Sequence, residues 1–310
     1  RGGELNVVLP FAEEDFLAQS VRPGGADWEG RFRVCMDAAA SRIFATETGY
    51  VGDPEQFTYG THVALGLTSI RARHILADAV QIAVLQPAEQ AGSAGTARDV
   101  ELWAALGHRT IGIDPGPVDR ALDHPPVPAT AQRAQHSILF ADFAGFSQLG
   151  EAQLPLFLDA VMGRIAAVLD TQPDAILSRN TWGDALYAVI ASPQIAAEIA
   201  LAQQEALREL PPLLSEGLTG AGMRIGVHHG PLYRGVDPVL GKPIYYGTEV
   251  TRTARIEPVT PTGEVYVTQA FAAMLALEAP DRFALEYVGR IKLAKGYGTL
   301  AMYRLSIVRG

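Results

Sequence analysis

Cysteine is nearly absent. One residue in 310, Cys35, carries a thiol, which excludes a disulfide framework and any cysteine-rich zinc site. Its position on the apolar side of a helical pattern reads as core packing. Positive charge is also scarce: 25 Lys and Arg stand against 34 Asp and Glu, for a formal net charge of −9. A general nucleic-acid binder needs a basic footprint, so no nucleic-acid partner is expected. A small phosphate-bearing ligand stays open, because it needs only a few local cations or metals. No run of eighteen apolar residues and no signal peptide occurs, so a cytoplasmic chain without a membrane segment is expected. The sequence opens on Arg1 rather than Met, which reads as a fragment of something longer. GxGxxG and GxxxxGKS/T are missing too, so the Gly-rich phosphate loops of familiar nucleotide-binding folds have no support.

What remains is an ordinary globular balance, 48% hydrophobic and 19% charged, able to fill a core. The length suits one large domain or two ordinary ones. From Glu4 to Pro115 strand and helix patterns alternate. ELNVVLPF, RIFATETG, AVQIAVLQ and RTIGI are strand-like; WEGRFRVCMDAAA, THVALGLTSIRARHIL and TARDVELWAALG have helical spacing. Such alternation predicts a three-layer, mostly parallel, Rossmann-like α/β domain over 1–115. Thr46, Glu47 and Gly49 follow its second strand at the carboxyl end, where open α/β sheets tend to bind ligands. The domain is read as a sensor of a small ligand or as a structural, dimerising unit. Residues 116–135 hold four prolines and no apolar period, the mark of a semi-rigid linker.

From His136 to the end the organisation changes. HSILFADFAGF is an apolar strand that closes on Asp142 and a glycine turn. PLFLDAVMGRIAAVL is helical, with Phe157, Val161, Ile165 and Val168 on one face. AILSRNTWGD and ALYAVIAS form a hairpin turning at Gly183-Asp184. QIAAEIALAQQEALREL is a second helix, with Ile195, Ile199, Ala202 and Ala206 in register, and MRIGVHHGPLYRG is a further strand. The order β-α-β-β-α-β is the split, ferredoxin-like α+β arrangement. Its first strand neighbours the hairpin, so Asp142 and Asp184 can meet at one edge. Paired carboxylates repel unless a cation joins them, and hard oxygen donors beside phosphates suit Mg2+ or Mn2+. The competing reading makes Asp142 a helix cap and Asp184 a turn residue.

Five ordered blocks, ILFADFAGFSQL, NTWGDALYAVI, MRIGVHHGPLYRG, YYGTEVTRTARIE and KGYGTLAMYRL, resemble the catalytic domain of class III nucleotide cyclases, the adenylyl and guanylyl cyclases. The resemblance spans about 136–308, so 136–310 is read as the catalytic domain. It implies conversion of a nucleoside triphosphate to a 3′,5′-cyclic nucleotide and pyrophosphate, with two Mg2+ or Mn2+ ions per site. Asp142 and Asp184 match the metal-binding aspartates, with Phe143 beside them. Phe143, Gly145 and Phe146 match the turn whose backbone meets the triphosphate, and Lys295 the lysine on its terminal phosphates. Arg255 matches the arginine that stabilises the transition state. The resemblance also implies a head-to-tail homodimer, with Asp142 and Asp184 from one subunit and Ile244, Thr251 and Arg255 from the other.

The departures are specific. Thr251 stands where the family places a ribose-binding asparagine. The two base-selecting positions fall on Asn180 and Ile244, which match neither the adenylyl nor the guanylyl pattern. Asn offers both a donor and an acceptor, whereas Ile offers only shape. ATP is the first expectation for the base. A pyrimidine triphosphate, CTP or UTP, as in cyclases of antiphage signalling, is an alternative, and a degenerate nucleotide-binding regulator is another. Adjacent strand residues point to opposite faces, so His228 and His229 read as structural. Trp182 reads as core, Tyr245 and Tyr246 as packing or base-stacking groups, and Arg252 and Arg179 as solvated.

Overall fold

The protein is described from a computed structural model, over residues 3–86, 95–116, 133–215 and 220–308. The chain divides into two compact units, 1–133 and 134–310. The proline-rich stretch expected as a linker lies, apart from its two ends, outside the described residues.

The amino-terminal unit begins with β1 (Asn6–Leu9), α1 (Glu13–Phe16) and α2 (Ala26–Ala38), followed by β2 (Ser41–Phe44) and the long α3 (Glu55–His74). The Asp53 carboxylate accepts the Glu55 N–H at 3.0 Å and so steadies the start of α3. β3 (Val80–Val84), α4 (Thr96–Ala105) and β4 (Arg109–Ile113) complete it. Strands pair in parallel, β1 with β2 and β3 with β4, as two separate ladders. α3 packs on β1, and α4 packs on β3 and β4. Leu9, Phe11, Leu17, Met36, Tyr59, Val63 and Trp103 are buried. Cys35 is exposed, contrary to the sequence reading; its neighbour Met36 is the buried residue of α2. One residue is about 100° of helical rotation, enough to exchange the two. The β3–β4 pair leaves Val80, Ile82, Val84, Ile111 and Ile113 exposed.

The second unit opens on β5 (Arg133–Ala144). A broken helix follows, α5 (Leu154–Phe157), a π turn over Leu158–Met162 and α6 (Gly163–Leu169). Then come the hairpin β6 (Ile176–Trp182) and β7 (Ala185–Ile190), α7 (Pro193–Ala206), α8 (Pro212–Ser215) and the long β8 (Gly222–Val236). β9 (Pro243–Tyr246), α9 (Thr248–Thr253), β10 (Val265–Thr268), α10 (Gln269–Glu278), β11 (Phe283–Lys292) and β12 (Thr299–Ile307) finish the chain. The sheet order is β11-β12-β10-β8-β5-β7-β6, with β9 on β8. Its half β8-β5-β7-β6 has the ferredoxin-like order expected for β-α-β-β-α-β.

The helices bury slightly different faces from those expected. Phe157, Val161 and Ile165 are buried, but Leu169 rather than Val168 continues the stripe. On α7 the buried set is Pro193, Ala196, Ala197, Ile199, Ala200 and Gln203, while Ala202 is exposed. Ala-rich helices give a weak apolar contrast, so sequence alone leaves their rotation loosely fixed.

Candidate active site

β5 and β7 pair antiparallel with Phe140 opposite Tyr187 and Ala141 opposite Leu186. One further step sets Asp142 level with Ala185, beside Asp184 in the β6–β7 turn. Gly183 takes φ +65° there, a conformation other residues resist, and frees Asp184 to face Asp142. The two carboxyls lie near enough for the charge of one to act on the other. Burial, then the Asp142 charge, pushes the Asp184 carboxyl up to about 6. The end of β5 turns at Gly145, which is left-handed at φ 100°, into a short 3-10 turn over Phe146–Gln148. Phe143 is buried and packs edge-on against Phe157, with Phe146 on the same ring at 4.9 Å.

Two residues that the sequence reading passed over complete the cluster. Arg224, on β8 beside β5, pairs with the Asp142 carboxylate. Its Nε also lies 2.8 Å from Glu257 Oε1, an ion pair without the alignment of a hydrogen bond. Glu257 opens a 3-10 turn that lies hard against β8: a Cβ on Gly226 would come within 2.9 Å of the Glu257 N. Burial first, then Asp142 and Asp184, push Glu257 up to about 7, against the pull of Arg224. Three carboxylates and one guanidinium thus gather at one edge of the sheet. The local pattern gave no signal for Arg224, since an arginine alternating with apolar residues on a strand ordinarily faces the other side of the sheet.

The other matched positions lie on separate elements. Thr251 is exposed on α9, and Arg255 is half-buried in the turn that follows. Lys295 is exposed at φ 56° in a 3-10 turn before β12, an uncommon conformation for a residue with a Cβ. Ile244 sits on β9 opposite Gly235 of β8. Asn180 is exposed on β6, and its Oδ1 accepts the Thr181 N–H at 2.9 Å.

α9 rests on a buried polar chain. His228 Nε2 lies 2.8 Å from Glu249, and Nδ1 lies 2.8 Å from the Thr268 hydroxyl. Burial holds His228 below its ordinary value, so the neutral ring donates to Glu249 and accepts from Thr268. Thr268 also accepts the Phe271 N–H and caps α10. Glu249 meets Arg252 at 3.3 Å, and both are buried. Arg252 is therefore structural rather than solvated. His229, bonded to Ser137, is buried as well. Trp182 is 58% exposed, so it is a surface residue and not core. Tyr245 is buried and Tyr246 stacks on Tyr233 at 5.4 Å. Arg179 is exposed beside Asp170.

Among the described residues no group of three His, Cys, Asp or Glu side chains is arranged to hold a metal ion. A pair still fits Mg2+ or Mn2+, which take one or two carboxylates and draw their other ligands from water and phosphate. The unneutralised charge on Asp184 and Glu257 has the sign such an ion would offset. A cavity of about 1340 Å³ in this unit lies elsewhere, lined by residues that include Glu205, Gly222 and Arg304, and holds none of these residues.

The adenylate and guanylate cyclase catalytic domain family matches residues 129–307, more than half of the chain. The chain belongs to that family and is a nucleotide cyclase. Among solved structures it is similar to the guanylate cyclase domain of RhGC from Catenaria anguillulae in complex with GTP, at 19% identity and a TM-score of 0.48, covering 56% of this chain and 97% of that one. It is also similar to the adenylyl cyclase CyaB from P. aeruginosa, at 17% identity and a TM-score of 0.49, covering 58% and 98%. No curated protein matches. Among the described residues no helix is long and apolar enough to cross a membrane.

Proposed function

We propose that the second unit converts a nucleoside triphosphate to its 3′,5′-cyclic monophosphate and pyrophosphate, with the substrate's own 3′-hydroxyl as attacker. The juxtaposition of Asp142 and Asp184 carries this reading. Two Mg2+ or Mn2+ ions, when bound, would polarise the attacking and leaving oxygens. Asp142 and Asp184 would hold them, with the Phe143 backbone as a further ligand. The turn at Gly145 and Phe146 presents backbone N–H groups to the triphosphate. Lys295 holds its terminal phosphates, and Arg255 offsets the charge that moves to the departing pyrophosphate. Arg224 can release Asp142 once cations arrive and keep Glu257 as its partner. Thr251 meets the ribose with a hydroxyl where a longer amide would reach further.

A head-to-tail homodimer, as the family resemblance implies, would supply Asp142 and Asp184 from one subunit and Ile244, Thr251 and Arg255 from the other. Asn180 bears on the base. Its Oδ1 is already occupied by Thr181, so the amide offers N–H donors outward. Such a donor can meet adenine N1 or cytosine N3 and equally a carbonyl oxygen of guanine or uracil, so ATP stays the first expectation and CTP or UTP the alternative, with Ile244 supplying only a wall.

For the amino-terminal unit we carry the reading of a small-ligand sensor. A three-layer arrangement there would require a layer over Val80, Ile82 and Ile111. Thr46, one of the residues expected near such a ligand, instead gives its hydroxyl to the Pro10 carbonyl at 3.0 Å.

The test is incubation with each of the four triphosphates and Mn2+, followed by identification of the product. A cyclic nucleotide from at least one of the four is expected, cyclic AMP first and cyclic CMP or cyclic UMP next; no cyclic product from a dimeric preparation would overturn the reading. Asp184→Ala should abolish turnover while the circular dichroism spectrum is unchanged, and full activity in that variant would remove Asp184 from the mechanism.

A further inference from the structure

The amino-terminal unit contains a cavity of about 760 Å³, within the roughly 300–1,000 Å³ common for small-molecule sites. It lies at the carboxyl ends of the first strand pair. Val8 and Pro10 bound it as the chain leaves β1, and Tyr50 and Gly52 belong to the segment after β2. Ligands in open parallel sheets collect at that end.

One wall is aromatic and built to stay in place. Phe16, Tyr50 and Phe57 line it. Phe11, fully buried behind, stacks on Tyr50 at 5.0 Å and meets Phe57 edge-on at 5.2 Å. The segment that carries Tyr50 is tied down on three sides. The Tyr50 N–H donates to Asp15 Oδ2 at 2.7 Å, and the Val51 N–H donates to Gln56 Oε1 at 3.0 Å. Gln56 Nε2 in turn donates to the Gly49 carbonyl at 3.1 Å, and Gln56 is wholly buried. A fixed aromatic surface loses little freedom when a flat ring stacks on it.

The polar side of the cavity is equally specific. Thr61 donates its hydroxyl to Asp99 Oδ2 at 3.2 Å, leaving the other oxygen of that half-buried carboxyl for a ligand. Burial pushes Asp99 up, so a donor that satisfies it is favoured. No Lys, Arg or His is among the described residues that line the cavity. A phosphate would meet a carboxyl and no cation, which disfavours nucleotides.

We propose that this cavity binds an uncharged planar nitrogen heterocycle of nucleobase or nucleoside size, stacked on the Tyr50–Phe57 wall and donating an N–H to Asp99. It gives the sensor reading a place and a ligand chemistry, and rests on that reading only for what binding does to the cyclase.

Calorimetry on the whole chain with adenine, cytosine, guanine, uracil, their nucleosides and the matching monophosphates tests this. At least one base or nucleoside should bind, once per chain, and at least tenfold more tightly than its monophosphate. Asp99→Ala should weaken that binding tenfold or more. Ala64→Trp, which fills the cavity from α3, should do the same if Asp99→Ala fails to fold by circular dichroism. Asp184→Ala, in the other unit, should leave it unchanged. No binding by any uncharged probe overturns the proposal. So does binding that survives Ala64→Trp, binding lost in Asp184→Ala, or a monophosphate that binds as tightly as its nucleoside. Binding as expected with no change in cyclase rate upholds the site and removes the sensor reading instead.

Discussion

Arg224 stands where the chemistry calls for a divalent cation. Its single charge is shared between Asp142 and Glu257, and Asp184 and Glu257 remain pushed up to about 6 and about 7, from 3.8 and 4.5. A carboxyl raised in the folded state holds a proton that the unfolded chain has released. Stability from these two groups therefore falls as pH climbs from about 4 to about 7. Without metal, the thermal midpoint should drop between about pH 5 and about pH 7.5, and Asp184→Asn should flatten that slope. Mn2+ should raise the midpoint more at the higher pH, where both carboxylates are charged. Scanning fluorimetry on the two proteins, with and without Mn2+, decides it. Equal Mn2+ gains in wild type and Asp184→Asn would remove Asp184 as a ligand. Asp142 and Asp184 were legible as a pair because the topology implied by the sequence puts their strand ends together. Arg224 and Glu257 were not, because their meeting depends on a turn folding back over Gly226.

Elements are placed as much by buried polar contacts as by apolar stripes. α9 is six residues long, too short to be stable alone. The chain Thr268–His228–Glu249–Arg252 fastens it to β8, and the same helix leads into Arg255. His228→Leu would take one donor from the buried Glu249 carboxylate, which keeps Arg252 at 3.3 Å, at a cost of about 1–3 kcal/mol. Urea unfolding should show that loss, and kcat should fall as Arg255 loses its support. An unchanged midpoint would mean that Glu249 finds another donor. Strand positions and the hairpin turn read correctly from the sequence, since alternating apolar residues and Gly-Asp are strong local signals. Trp182, Arg252 and Cys35 did not. Each has a side chain whose burial depends on a neighbour that the local pattern does not contain.

For the whole molecule the proposed dimer is the point to test. If Asp184 and Arg255 serve one site from different subunits, each single variant is inactive for a different half of it. Mixing equal amounts of Asp184→Ala and Arg255→Ala should then place one intact site in each mixed dimer. Random exchange makes half of the dimers mixed, so about a quarter of wild-type activity should return. An inactive mixture, with exchange shown by native mass spectrometry, would place both residues in one chain. The amino-terminal unit was less legible at this scale. Its elements follow the alternating pattern, but the strands pair as two ladders and one ladder keeps an open apolar face.

The sequence by itself determined the family, the order of the catalytic elements and the two aspartates. Periodicity, glycine turns and ordered motifs are local properties, written residue by residue. Only the tertiary structure decided that a third carboxylate and a guanidinium share the aspartates' edge, that α9 hangs from a buried histidine, and that aromatics from three segments line a cavity in the first unit. Those arrangements join residues tens of positions apart, and packing, rather than any local pattern, brings them together.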